Sequence, residues 1–155
     1  MKKYIIVLSG LLVLSNCSYQ NATKKSNEIS SNKPIETEVE SVSLSESTRG
    51  TQRIYTLTKD KLEISLNGII SNETLTKDEW STIMNKIDQI KIESLSTYEA
   101  PTSKRFSDAA FTSVLNIKKN GENFESLGFD SGNPPGELKE LYNELKNIID
   151  KKKSK

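Results

Sequence analysis

The stretch IYTLTKDKLEISLNGII, residues 54–70, decides the predicted fold. Its apolar residues alternate with polar ones, which is the period-two pattern of strands that bury one face. A two-residue turn between residues 53–58 and 61–66 pairs two such strands and keeps their apolar residues on one side. Asn67-Gly68 then favours a second tight turn, because both positions tolerate positive φ. The sequence therefore predicts a three-stranded antiparallel meander.

The segment after the meander carries the signals of a helix. Thr76 and Glu79 have the spacing of a capping box, in which each side chain satisfies a free backbone amide of the other residue. The following apolar residues have the three-and-four spacing of one helix face. This stripe consists of Trp80, Ile83, Met84, Ile87 and Ile90. A tryptophan on such a stripe is typical of a protein core, and a ligand platform is the alternative.

A second hairpin and a second helix follow. Asn-Gly at 120–121 lies between residues 110–118 and 122–129, and a two-residue turn pairs these segments. Continuous pairing places Phe129 on the sheet face opposite to Ile117. Beyond the hairpin, another set of apolar residues has helical spacing. This set consists of Leu138, Leu141, Tyr142, Leu145, Ile148 and Ile149.

The order of these elements predicts an α+β fold. Residues 49–150 have the size of a single domain. We expect a two-layer sandwich in which an antiparallel sheet of about five strands, a meander plus a hairpin, carries two helices on one face. Strand 51–58 is expected at the sheet edge. Residues 91–108 predict a loop with one short strand, and residues 151–155 predict a solvated basic tail.

The first residues have the parts of a bacterial export signal. Lys2 and Lys3 precede about ten mostly apolar residues, and the sole cysteine, Cys17, follows them. A membrane-spanning helix needs ~20 apolar residues, so this run is too short to be one. The cysteine at its end resembles the lipobox of bacterial lipoproteins, which implies that residues 1–16 are a signal peptide and that Cys17 is acylated. A soluble exported protein with a free thiol is the alternative.

The next segment predicts a tether to the membrane. Ser, Asn, Glu, Thr and Lys dominate residues 17–48, so little apolar area is available to offset the entropy of ordering them, and we expect disorder. Ser18 is compatible with sorting to the outer membrane. The acidic stretch of surface-exposed lipoproteins is absent from residues 18–25. The predicted location is the periplasmic side of the outer membrane, with the cell surface as the alternative.

Composition excludes most catalytic chemistry. The chain has no histidine, so the usual general base near neutral pH and the usual ligand of zinc, copper or iron are missing. Removal of residues 1–16 takes away two of the 22 basic residues and none of the 21 acidic ones. The resulting near-balance of charge argues against a nucleic-acid partner. We expect neither a cofactor nor a metal.

Two segments beside the second hairpin carry a family resemblance. RFSDAA (residues 105–110) and FDSGNPP (residues 129–135), with Arg49-Gly50 before the meander, resemble a family of small exported proteins of Bacteroidota. The family segments are approximately Arg-x-Phe-Asp-Gly-Ala and Phe-Asp-His-Gly-x-Pro-Pro. Ser131 stands in place of the histidine, which argues against a catalytic or metal-binding role there. The family has no assigned activity, so the resemblance supports only the fold and the compartment.

Five polar residues of these segments are candidates for a binding site or a structural clamp: Arg49, Arg105, Asp108, Asp130 and Asn133. All lie at strand ends or in adjoining loops. Arg105 with Asp130 is the expected ion pair, which would hold the loops together, and a solvent-exposed pair worth ~0–1 kcal/mol is the alternative. Asp130 or Asn133 is also expected to cap the second helix.

The predicted function is that of a non-enzymatic cell-envelope lipoprotein that binds another envelope protein or a cell-wall polymer. This hypothesis predicts an exposed apolar or aromatic patch, or an unpaired sheet edge. One alternative is an inhibitor of an envelope-directed hydrolase, for which residues 97–108 would supply a rigid loop. The other is a hydrolase in which Asp108 and Asp130 converge in a cleft.

Overall fold

A computed structural model describes residues 38–154 of the chain. The predicted signal peptide, Cys17 and residues 18–37 of the predicted tether lie outside the described residues. The strands are β1 (Val39–Thr48), β2 (Thr51–Leu57), β3 (Lys61–Leu66), β4 (Ile69–Thr74), β5 (Thr112–Lys119), β6 (Glu122–Glu125) and β7 (Phe129–Asp130). The helices are α1 (Lys77–Ile87) and α2 (Lys139–Lys153).

The architecture is a two-layer α+β sandwich, as the sequence predicts. The strands form one antiparallel sheet in the order β4-β3-β2-β1-β5-β6, and β7 pairs with β5 beyond the end of β6. Both helices pack on one sheet face, where the apolar residues of the strands and helices form a single core. The sheet has seven strands, whereas the sequence predicts about five.

The central strand of the sheet is β1, which lies in the segment predicted to be a tether. It pairs with β2 on one side and with β5 on the other. Val42 and Leu44 point into the core and are fully buried. The predicted domain boundary at residue 49 is therefore wrong. The prediction that β2 is an edge strand is wrong for the same reason, because β1 pairs along it.

Strand β1 has the composition of a linker because the sheet face opposite the helices is not covered by α1 or α2, and its residues on that face are polar. We call this surface the open face. On β1 the open face consists of serines: Ser41, Ser43, Ser45 and Ser47. A strand that alternates serine with two apolar residues and a buried glutamate resembles a polar linker in composition.

The structure confirms both Asn-Gly hairpins. Asn67 and Asn120 have φ of 50° and 52°, and each is followed by a glycine with positive φ. Each asparagine side chain also accepts a hydrogen bond from the neighbouring strand end, from the amide of Gln52 at 2.7 Å and from the amide of Glu38 at 3.1 Å. The turns are thus fixed to the sheet as well as closing their hairpins.

The pairing of the second hairpin is not continuous. Three residues, 126–128, link β6 to β7 where the facing part of β5 has two, 114–115. This extra residue is a β-bulge, which reverses the faces of the residues that follow it. Phe129 therefore faces Ser113 on the core side and is fully buried, contrary to the prediction from continuous pairing.

Helix α1 begins at the predicted capping box. Thr76 Oγ1 accepts a hydrogen bond from the Glu79 amide at 3.2 Å, and the Thr76 amide donates to Glu79 Oε2 at 2.8 Å. Trp80 is partly buried against the core, which is the core position that its place on the apolar stripe indicates.

Helix α2 includes most of the predicted basic tail. It continues to Lys153, and the Lys152 side chain is only 8% exposed. Lys152 Nζ lies 3.0 Å from Glu79 Oε2, so an ion pair joins the end of α2 to the start of α1. The prediction of a solvated tail is wrong here because Lys152 follows Ile148 and Ile149 at helical spacing and lies on the buried stripe.

The long connection between α1 and β5 contains no strand. Its first part is a 3₁₀ helix, Ile92–Thr97, in which Ile92 and Leu95 pack into the core. Its second part holds another 3₁₀ helix, Lys104–Ser107. The predicted short strand is thus wrong, because two apolar residues three positions apart bury equally well from a 3₁₀ turn.

Candidate functional site

A buried carboxylate organises the loop that precedes β5. Asp130 is fully buried and accepts four hydrogen bonds from residues 102–105. Its Oδ2 accepts from Thr102 Oγ1 at 2.6 Å and from the Lys104 amide at 2.7 Å. Its Oδ1 accepts from the Arg105 amide at 2.8 Å and from Arg105 Nη1 at 3.3 Å. We call residues 102–108, held in this way, the clamped loop.

These hydrogen bonds keep Asp130 ionised. Burial by itself raises the pKa of the carboxyl group, because it disfavours the charged form. The hydrogen bonds from Thr102 and from the amides of Arg105 and Lys104, together with the Arg105 guanidinium, outweigh burial and lower the pKa from 3.8 to about 2. Since every donor around it belongs to the clamped loop, the carboxylate serves to fix that loop.

The expected pair of Arg105 with Asp130 is present and largely buried, with 13% of the arginine side chain exposed. Arg105 Nη1 also donates to the Thr102 carbonyl oxygen at 2.6 Å. Arg49 and Asp108 form a second pair, with Nε 3.1 Å from Oδ2, but their side chains are 90% and 50% exposed. The first pair is therefore part of the interior, and the second lies on the surface.

The other expectations for these residues are not met. Asn133 bonds to Asp130 through the backbone, its amide donating to the Asp130 carbonyl oxygen at 2.8 Å. Neither side chain caps α2, whose N-cap is Leu138 with no side-chain hydrogen bond. The prediction of a cap is wrong because a 3₁₀ helix, Gly136–Leu138, comes between the turn and α2.

Asp108 and Asp130 are engaged by different partners. Asp108 pairs with Arg49 at the surface, and both oxygens of Asp130 accept hydrogen bonds from the clamped loop. A general acid or base needs an oxygen within hydrogen-bond reach of a substrate proton. The Asp130 carboxylate, buried and bonded in this way, does not offer one.

Phe106 of the clamped loop was not among the candidate residues predicted from the sequence, and neither was Thr102, which binds Asp130. Phe106 is 79% exposed, the highest value among the large hydrophobic residues that the structure describes. The Arg105 guanidinium carbon lies 4.3 Å from the ring centroid, so the cation supports one face of the ring. The available sequence signal was an aromatic residue placed among cations in a polar loop.

A second buried carboxylate was missed because it lies in β1. Glu46 is almost fully buried, and its Oε1 accepts hydrogen bonds from Ser131 Oγ at 2.9 Å and from Lys146 Nζ at 3.3 Å. Burial lowers the pKa of Lys146, but the Glu46 carboxylate outweighs that effect and raises it. Tyr142 Oη accepts a hydrogen bond from the Gly132 amide at 2.8 Å.

The segment FDSG at residues 129–132 is held on both faces of the sheet, because Asp130 is in register with Thr112 on the open face and Phe129 with Ser113 on the core face. Phe129 is in the core, where its ring meets that of Tyr142 edge-on at 5.5 Å between centroids. Asp130 binds the clamped loop, whereas Ser131 binds Glu46. The motif therefore connects the core to the clamped loop and fixes the position of that loop on the domain.

The described part of the chain offers two further findings. Residues 38–154 contain no group of three or more His, Cys, Asp or Glu side chains that could hold a metal ion. None of the helices in this range has both the length and the apolar character needed to span a membrane.

The chain is thus an α+β domain in which a buried carboxylate holds a loop that exposes one aromatic ring. Comparisons of the chain with protein-family models, with curated proteins and with solved structures gave no match. Function must therefore be inferred from the chemistry of the site.

Proposed function

We propose that the chain is a lipid-anchored protein of the bacterial cell envelope whose α+β domain is a non-enzymatic protein-binding module. One observation carries the binding role: Phe106 is 79% exposed on a loop that a buried carboxylate holds in place. Aromatic residues and arginine are enriched in protein interfaces, and a few such anchors supply most of the binding energy.

The clamped loop is suited to binding because its conformation is already fixed. A loop that orders on association loses conformational entropy, which weakens binding. Four hydrogen bonds to Asp130 restrict residues 102–105 beforehand, and Asp108 closes the loop in the left-handed conformation with φ of 56°. Phe106 can therefore enter a partner's pocket without ordering the loop first.

The charges around Phe106 indicate the chemistry of the partner. Lys104 is exposed two residues before Phe106, and Arg105 stacks on the ring, while Arg49 is exposed and pairs with Asp108. Asp108 is the one acidic residue of the clamped loop. This surface fits an apolar pocket rimmed by carboxylates on another protein, since opposite charges at an interface favour encounter and orientation.

The envelope location is supported by the sequence. Residues 1–16 have the parts of an export signal, and Cys17 follows at the place of a lipobox cysteine. Three acyl chains, as lipoproteins of this type carry, would attach the protein firmly, since each buried methylene contributes ~0.8 kcal/mol. Attachment on the periplasmic side of the outer membrane remains the proposed arrangement, and the Bacteroidota family remains the proposed relation.

A second candidate function is inhibition of an envelope-directed hydrolase. The same observation favours it, because an inhibitor inserts a loop of fixed conformation into an enzyme cleft. The two functions differ in one measurable way. A substrate analogue of the captured enzyme would displace the clamped loop from an active-site cleft but would not displace it from any other surface.

We expect Cys17→Ser to release the protein from the membrane. The wild-type protein should partition into the detergent phase of a cell extract and should carry acyl chains on Cys17 by mass spectrometry of its amino terminus. The variant loses the acylated sulfur and should move to the aqueous phase. A wild-type amino terminus that is unmodified or that begins at another residue would refute the lipoprotein proposal.

We expect Phe106→Ala to abolish capture of the partner without destabilising the domain. A photo-crosslinking residue at exposed Ser107 should yield a crosslinked protein in intact cells, and Phe106→Ala should reduce that yield at least ~10-fold. The melting temperature should change by no more than a few degrees, because the ring is exposed. Leu127→Ala, which truncates another exposed apolar side chain, is the matched control and should retain capture. Equal yields from both variants would refute the role of Phe106.

A further inference from the structure

The two edges of the sheet are protected to different degrees. Exposed strand edges invite pairing with other chains, and proteins guard them with short strands, charges or covering segments. The β6 edge has four residues, carries Glu122 and Glu125, and lies beside the 3₁₀ helix Ile92–Thr97. The β4 edge has six residues, no lysine or proline, and a single charge at Glu73. None of the described residues pairs with its outer side.

Strand β4 also exposes two large apolar side chains to solvent. Ile69 and Ile70 are 78% and 60% exposed. Ile70 lies on the open face, in register with Ser65 of β3 and, through it, with Ile54 of β2. A strand added beside β4 would therefore cover Ile70 and extend the row of facing side chains formed by Ile70, Ser65 and Ile54 on the open face.

We propose that β4 pairs with β4 of a second copy of this chain, antiparallel and centred on Asn72. The two-residue turn makes Leu66 and Ile69 a hydrogen-bonded pair, so hydrogen bonds to β3 alternate from Ile69 onward. The backbone amides and carbonyls of Ile70, Asn72 and Thr74 consequently point away from β3, toward the free edge of the sheet. These groups are the ones that a neighbouring strand would bind.

The register centred on Asn72 uses all three outward residues. Asn72 then faces Asn72 of the second copy, and Ile70 faces Thr74 of the second copy. Shifting the centre to Ser71 would leave Thr74 opposite Gly68, outside the strand. A two-fold axis at Asn72 therefore gives three hydrogen-bonded residue pairs within the strands.

Charge on the strand is compatible with a second copy. Glu73 is the only ionised residue of β4, and in this register it faces the hydroxyl of Ser71 of the second copy. Like charges directly opposite each other would destabilise the pair, and this register avoids them. The product is one sheet that runs continuously through both domains. The clamped loop of each copy binds β7, which pairs with β5, so three strands separate β5 from the joined β4 edge.

Disulfide trapping tests the register. In the full chain with Cys17→Ser, Asn72→Cys supplies the sole thiol at the proposed axis. Oxidation should give a covalent dimer, because facing residues in a hydrogen-bonded pair have Cα atoms ~5.5 Å apart, within disulfide range. Asn123→Cys, the matched asparagine on the β6 edge, should give at least ~10-fold less dimer.

Ile70→Lys in the Asn72→Cys chain tests the role of the exposed isoleucine. An edge lysine opposes strand pairing, so the dimer yield should fall about tenfold, which corresponds to ~1.4 kcal/mol of association free energy. Circular dichroism melts of all variants should match the parent, since the substituted residues are exposed. Equal disulfide yields at positions 72 and 123, or a yield unaffected by Ile70→Lys, would overturn the proposal. Neither outcome bears on capture through Phe106.

Discussion

Replacing Asp130 with asparagine is expected to lower the melting temperature of the domain by ~10 °C or more. The carboxylate accepts four hydrogen bonds within the clamped loop and is buried, so the substitution removes the counter-charge of Arg105. It also turns an NH₂ group toward at least one donor, and a buried donor without an acceptor is destabilising. Thermal unfolding followed by circular dichroism measures the change.

Asp108→Asn is the matched control for this substitution. Its carboxylate pairs with Arg49 at the surface, and exposed pairs of this kind contribute ~0–1 kcal/mol. The melting temperature of this variant should therefore lie within a few degrees of the wild type. Equal shifts of the melting temperature for Asp108→Asn and Asp130→Asn would show that the buried Asp130 carboxylate stabilises the fold no more than the exposed Asp108 carboxylate does.

The effect of Asp130→Asn should depend on pH in a defined direction. The pKa of Asp130 is lowered from 3.8 to about 2 in the folded chain, so folding favours the ionised form. Its stabilisation is fully present above the unfolded pKa and is lost as the pH falls through the folded pKa. The difference in melting temperature between wild type and variant should be constant from pH 7 to about 5 and should close between about pH 4 and pH 2. If the difference in melting temperature closed near pH 6 instead, the pH dependence would come from a group other than Asp130.

The elements that the sequence predicts correctly are those with local physical causes. The capping box of Thr76 and Glu79 requires only residues three positions apart, and the turn at Asn67 requires only two residues that tolerate positive φ. The apolar stripes of α1 and α2 repeat over three or more turns, which makes them distinct from chance. Each of these signals lies within one short segment.

Elements that depend on distant partners are not predictable in this way. Strand β1 gains its hydrogen bonds from β2 on one side and from β5, some seventy residues away, on the other. Its own residues resemble a linker because serines occupy the open face. The bulge at residues 126–128 is also invisible in the pattern, since one inserted residue changes the face of Phe129 without changing its composition.

The candidate site shows the same division. Arg105 and Asp130 could be paired from sequence because opposite charges flank one hairpin at its open end. Burial of Glu46 could not be predicted, because it depends on the position of β1. Exposure of Phe106 could not be predicted either, since an aromatic residue in a loop more often packs inward, and only the hydrogen bonds to Asp130 show why this one does not.

A chain that begins at Arg49, the boundary that composition predicts, is expected not to fold. Its sheet would lack the central strand, so β2 and β5 would lose their shared partner and the sheet would divide into two parts. The core would lose Val42 and Leu44, each worth ~1.5–3 kcal/mol when buried. Far-UV circular dichroism of this chain should show no cooperative thermal transition.

The chain that begins at Glu38 is the control, because it retains β1 and every contact that β1 makes to the sheet. It should unfold cooperatively, near the melting temperature of the full chain. The shorter chain loses the hydrogen bonds of β1 to β2 and β5, two buried apolar side chains and the Glu46–Lys146 pair. Because domains have free energies of unfolding of only ~5–15 kcal/mol, we expect this loss to exceed the stability of the domain. A peptide of residues 38–48 in excess should restore a cooperative transition to the shorter chain. A cooperative transition in the shorter chain alone, at the temperature of the control, would refute the central role of β1.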